Sequence, residues 1–180
     1  MKTKFPQRKV ISIATKLRQL KHRNTVNVKG YSIRPTALIF ELCFFDISNM
    51  QISNLTQLIY YLNKENNCSY SERLNNTYQS SNGIMYLHEC GIIHRDMKPS
   101  NLFVTGTTKD IIIKVSDFDD LVDNKVTIAL TMTKQKIYGI TLAYIFLAII
   151  KSEIKEPNLK SDIYALAITA FMTISNFSSA

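Results

Sequence analysis

An α+β fold is what the sequence predicts: a strand pair with one helix, followed by a mainly helical body that carries a small sheet. Three observations carry this expectation. The first forty residues pass from an amphipathic helical pattern to β-rich runs. Residues 54–91 then keep helical spacing almost throughout. Beyond residue 91, short apolar runs surround a polar loop before a last apolar helix. With 180 residues, 46% of them hydrophobic and 20% charged, the chain has the make-up of one globular domain and not of a disordered segment.

Val10, Ile13, Leu17 and Leu20 recur at helical spacing with Lys and Arg between them, predicting an amphipathic helix over 7–21 that ends near His22-Arg23-Asn24. Strands are expected over 25–28 and 37–45, with Lys29-Gly30 and Arg34-Pro35 as the breaks. Asn54 stands where its side-chain oxygen can accept from the orphan amides of a helix carrying Leu55, Leu58, Ile59 and Leu62. A longer helix runs from Ser71 through Leu74, Tyr78, Ile84 and Leu87 to Gly91. Gly83 inside it costs about 1 kcal/mol relative to Ala, so packing must hold it there. Ile92-Ile93, 101–104 and 111–115 read as short strands, and 162–174 as the closing apolar helix.

The formal net charge of +8 is unevenly spread, since every charged side chain from Lys2 to Lys29 is basic. A solvated helix face accounts for this; no aromatic stacking pattern accompanies it, and nucleic acid is not expected as a partner. The three cysteines, Cys43, Cys68 and Cys90, lack C-x-x-C spacing and are expected as reduced thiols. The N-terminus is basic and mixed, without a signal peptide's apolar core, which predicts an intracellular, cytoplasmic protein. Ile137 to Ile150 is a run of fourteen uncharged residues. A bilayer span takes about 20 apolar residues, so a buried segment is expected, with membrane attachment through 137–150 as the alternative.

His94-Arg95-Asp96-Met97-Lys98-Pro99-Ser100-Asn101 is followed, sixteen residues after Asn101, by Asp117-Phe118, which comes directly after the strand-like run IIIKVS. Together these resemble the catalytic loop H-R-D-L-x-x-x-N and the metal-binding D-F-G turn of eukaryotic protein kinases, with Met97 in the Leu place. Any one of these residues alone would pass for an ordinary loop or cap; the set is specific. The resemblance implies transfer of the ATP γ-phosphate to a protein hydroxyl, with ATP and Mg²⁺ as cofactors and a protein as substrate. It implies that Asp96 accepts the hydroxyl proton and that Lys98 balances charge on the phosphate. Asn101 and Asp117 would supply the oxygen ligands that Mg²⁺ requires. Arg95 would pair with a phosphorylated Thr127, Thr131 or Thr133, and His94 would be a packing residue.

The likeness extends along the chain. LRQLKHRN and VNVKGYS look like the end of the family's regulatory helix and its next strand, and ALIFELC like the strand entering the hinge. Phe40 would then be the gatekeeper, Glu41 to Cys43 the backbone that contacts adenine, and Phe103 the apolar floor beneath it. On this reading 1–40 is the remnant of a small lobe, 41–47 the hinge, and 48–180 a truncated large lobe with a catalytic loop at 92–104 and an activation segment at 117–148. Lys98-Pro99 is the form typical of serine/threonine enzymes, and the spacing over 81–94 with SDIYALAI at 161–168 most resembles the tyrosine-kinase-like group.

Departures matter equally. No G-x-G-x-x-G loop and no V-A-I-K strand is present, Ile13 stands where the helix glutamate belongs, Asp119 replaces the D-F-G glycine, and Phe146-Leu147-Ala148 replaces Ala-Pro-Glu. Residues for the helices that close the large lobe are also missing, which would leave Ile163, Leu166, Ile168 and Phe171 uncovered. The expectation is therefore an incomplete protein-kinase-like fold. Its functional readings, in order, are a serine/threonine kinase in its full-length form, a pseudokinase acting as a binding module, and a small membrane-associated protein.

Overall fold

The computed structural model describes residues 11, 14–65, 69–117, 122–123 and 158–175. Leu17 and Leu20 turn inward, as their spacing predicts, and Ala14, outside that pattern, is buried beside them on one short helical stretch. Its last bonds tighten to three-residue spacing, Gln19 N–H to Lys16 O and Leu20 N–H to Leu17 O, so it closes by Leu20 and not at His22–Asn24.

Strand β1 (Val28–Ile33) pairs antiparallel with β2 (Thr36–Phe40) across Arg34-Pro35. The predicted strand over 25–28 is displaced: β1 begins at Val28, and Thr25 makes only a lone parallel bridge to Val115. Lys29-Gly30 does not break the strand, because the register shift between Val28 and Gly30 takes up the extra residue as a bulge. The single strand expected over 37–45 is two. β2 stops at Phe40, residues 41–44 form a link, and β3 (Phe45–Ile47) turns back as β4 (Met50–Ile52). Ser48 and Asn49, at φ 48° and 62°, both adopt the left-handed conformation that a two-residue hairpin turn requires.

Helix α1 (Leu55–Glu65) starts as expected, with the Asn54 side-chain oxygen accepting from the Gln57 amide. Helix α2 (Tyr70–Glu89) starts one residue before Ser71; its cap is Ser69, in a reciprocal box with Glu72. Of the apolar residues that run along it, Leu74 and Tyr78 are exposed. Arg73, Asn76, Gln79 and Ser80 are buried instead, alongside Gly83, Ile84 and Leu87. These polar groups are satisfied: Arg73 donates to Thr173 O and to Asn63 Oδ1, and Gln79 bonds Ile111 O, the Ile113 amide and Asn24 Nδ2. Gly83 is there because a Cβ would lie 2.4 Å from Asn24 O and 2.6 Å from Val115 Cγ2.

Past α2 come β5 (Ile92–Ile93), which pairs with β8 (Val122–Asp123), and a 3-10 turn over Pro99–Asn101. β6 (Leu102–Thr107) and β7 (Asp110–Val115) form a hairpin, longer at its start than the run 111–115 predicted. Helix α3 (Leu159–Ile174) begins three residues before the expected Asp162, with Asn158 and Ser161 capping each other. The core gathers Leu17, Leu55, Leu58, Ile84, Leu87, Met97, Leu102, Val104, Ile113 and Val115, which places the polar loop 94–101 directly against packed side chains. Ile163 and Phe171 are exposed on α3, while Leu166 and Ile168 are partly covered. Among the described residues no helix is long and apolar enough to cross a membrane. Ile13, Cys68, Phe118, Asp119, the three threonines Thr127, Thr131 and Thr133, and all of 137–150 lie outside the described residues.

Candidate active site

Pro99 restrains the turn that follows Lys98, and Asn101 closes it through its amide to Lys98 O at 3.0 Å. That turn sends the side chains of Asp96, Lys98 and Asn101 to one place. Lys98 Nζ lies 2.8 Å from Asp96 Oδ2, and Asn101 Nδ2 donates to the same oxygen at 2.9 Å and to the Asp96 carbonyl at 2.7 Å. Two donors thus fix one carboxylate oxygen and orient the other, the arrangement that a positioned proton acceptor needs. With Asn101 Nδ2 spent on Asp96, its side-chain Oδ1 is the end a hard cation would take.

Asp117 directly follows Ser116, which is bonded to the loop. The Ser116 amide and hydroxyl both donate to the Asn101 carbonyl, at 2.9 and 2.8 Å, and the Ser116 carbonyl lies 2.7 Å from His94 Nε2. A carbonyl only accepts, so Nε2 of His94 carries the proton, and Nδ1 is left to accept from the Asp96 amide at 3.3 Å. His94 is fully buried, as a packing residue would be, but it also joins the loop to the turn before Asp117. Arg95 and Asp117 hold φ of 73° and 61°. Left-handed backbone at non-glycine residues persists only where the surroundings determine it.

Part of that determination comes from Asp162, which the sequence reading passed over. Its Oδ1 accepts from the Arg95 amide and its Oδ2 from the His94 amide, both at 2.8 Å, while His88 Nε2 stands 2.8 Å from Oδ2. Asp162 is 1% exposed and sits in the first turn of α3, where the helix dipole favours a negative charge. The signal available in the sequence was a lone acid opening an apolar helix.

The residues expected to meet the nucleotide lie on the link 41–44 and on β6. Glu41 Oε1 accepts from the Asn27 amide at 2.9 Å and Asn27 Nδ2 at 3.0 Å, and pairs with Lys114 Nζ at 2.9 Å. Burial pushes the Glu41 carboxyl up, but the Asn27 and Lys114 contacts outweigh it and hold the group below its ordinary value of 4.5. Cys43 is buried, and desolvation, then the neighbouring Glu41 charge, pushes its thiol up to about 11. Phe103 is half-buried on β6, directly across from Lys114 on β7. Lys114, not singled out in the sequence, thus ties Glu41 to the strand opposite Phe103.

Comparison with known proteins identifies the family. Residues 2–178 match the model of the protein kinase domain. A probable serine/threonine-protein kinase of Dictyostelium discoideum is 30% identical over 173 residues, 95% of this chain and 11% of that protein. An LRR receptor-like serine/threonine-protein kinase of Arabidopsis thaliana is 30% identical over 155 residues, 83% of this chain and 14% of that one. Mitogen-activated protein kinase 14 of the same plant is 31% identical over 109 residues, 57% and 26% respectively. The chain thus spans from 11% to 26% of the length of these relatives. A loop whose acid, lysine and asparagine converge on one carboxylate oxygen, within a domain match that runs nearly end to end, places this chain in the protein kinase domain family.

Proposed function

We propose that the protein transfers the γ-phosphate of ATP to serine or threonine hydroxyls of proteins, with Asp96 as the proton acceptor. The observation that carries this reading is the Asp96 carboxylate held through one oxygen by Lys98 and Asn101. Asp96 aligns the attacking hydroxyl and takes its proton as the oxygen bonds to the γ-phosphorus and the bond to the ADP oxygen breaks. Lys98 balances charge on the phosphoryl oxygens. Asn101 and Asp117 would hold Mg²⁺, which when bound neutralises phosphate charge. Glu41 to Cys43 would offer their backbone to the adenine, above Phe103. The Lys98-Pro99 pair supports the serine/threonine class, and the spacing over 81–94 supports the tyrosine-kinase-like group within it.

Asp119 at the glycine position of D-F-G, with Ile13 and Phe146-Leu147-Ala148, favours a second reading, a pseudokinase that keeps the kinase shape as a binding module. The two part on turnover. In the test, the protein is captured from its own cells with an antibody to residues 60–100 and given γ-labelled ATP, Mg²⁺ and a generic serine/threonine substrate. Label transfer is expected, and in Asp96→Asn a fall of about 10²–10⁴-fold. Equal transfer by Asp96→Asn rejects the assignment of Asp96, and a wild type that folds but transfers nothing selects the binding module.

A further inference from the structure

Lys114 is buried in the middle of an apolar strand, an unusual place for an ammonium group unless it is paired. It reaches out of β7 to two other stretches of chain: to Glu41 Oε1 at 2.9 Å on the link 41–44, and to the Thr25 carbonyl at 3.4 Å. The same Glu41 oxygen also holds both nitrogens of Asn27, whose carbonyl accepts from the Glu41 amide at 2.9 Å. Three segments, 25–27, 41 and 114, therefore meet at one carboxylate. Because Phe103 and Lys114 are directly paired across the β6–β7 ladder, their side chains share a face of the hairpin. Lys114 thus starts from the hairpin face that carries Phe103 and ends on the link.

We infer that Lys114 is a positioning residue for nucleotide binding: its ammonium ties the link 41–43 to the hairpin that carries Phe103, fixing the width of the slot an adenine ring would enter. This rests on the reading of Glu41 to Cys43 and Phe103 as the two sides of that slot. Lys114 touches no reacting atom, and its effect is felt in affinity and not in the chemical step.

The test titrates a fluorescent ATP analogue into the wild-type chain, Lys114→Met and Lys114→Arg, and follows amide hydrogen exchange over 41–43 without nucleotide. Lys114→Met is expected to weaken binding about tenfold and to speed exchange at 41–43, leaving exchange at 94–97 unchanged; Lys114→Arg recovers part of both. Should Lys114→Met fail to fold, Glu41→Gln with Lys114→Met removes the stranded carboxylate as well, which restores a foldable chain, and its weaker binding and faster exchange are the expected result. A folded variant with wild-type affinity and wild-type exchange overturns the inference while the nucleotide reading stands. A wild-type chain that does not bind the analogue overturns that reading, and the inference with it.

Discussion

The loop 94–101 and the β1–β2 hairpin are both short stretches of irregular or marginal structure, yet they are held in opposite ways. The hairpin relies on its own ladder and on apolar contact of Val28, Leu38 and Phe40 with the core, and leaves Tyr31, Ile33 and Ile39 exposed. The loop has almost no ladder. It is fixed by single directional bonds from distant residues: Asp162 on its backbone amides, Ser116 on His94 and Asn101, and Asn101 and Lys98 on Asp96. Apolar contact fills space but tolerates sliding, whereas a carboxylate with two amide partners fixes a position. Where chemistry needs one repeatable geometry, this fold spends buried polar groups.

That contrast is open to breaking by mutation. Asp162→Ala should be the most damaging change, since it strands the amides of His94 and Arg95 and the His88 ring at once. A loss of about 3–5 kcal/mol is expected by denaturant unfolding, and a loss under 1 kcal/mol would mean that the loop holds itself. Gly83→Ala comes next. The added methyl meets the Asn24 carbonyl at 2.4 Å, so despite the better helix propensity of Ala a destabilisation of about 2 kcal/mol is expected, read from the same unfolding curves. Ile39→Thr, on the exposed side of the hairpin, should stay within about 0.5 kcal/mol of wild type; a larger cost would show the hairpin packed against something beyond the contacts seen here.

The same contrast explains what could be read from the sequence. Asp96, Lys98 and Asn101 were legible because together they resemble a known catalytic-loop pattern, all of whose members stand close together in the sequence. Asn54 was legible because a cap acts three residues away. Asp162 was not, since its partners are 67 and 68 residues back in the chain and nothing local announces them. On α2 the apolar residues Leu74 and Tyr78 lie outside, whereas Arg73, Asn76, Gln79 and Ser80 are buried, and the hydrogen bonds of Arg73 and Gln79 to α3, β7 and Asn24 cannot be inferred from periodicity. Gly30 misled for a related reason, because a glycine that ends a strand and one that permits a bulge look alike in one sequence.

The separation between the loop and its anchor also bears on how the chain is made. Synthesis proceeds from the N-terminus, so His94 leaves the ribosome 68 residues before the Asp162 carboxylate that will hold its amide. At about 5–20 residues per second the interval is roughly 3–14 s. Throughout it the sheet, α1 and α2 can gather around their apolar side chains, but the His94 and Arg95 amides have no acceptor on α3 to settle upon. The loop is therefore among the last parts of this domain to take its final form, and a chain stalled before α3 would carry a folded core beneath an unformed site.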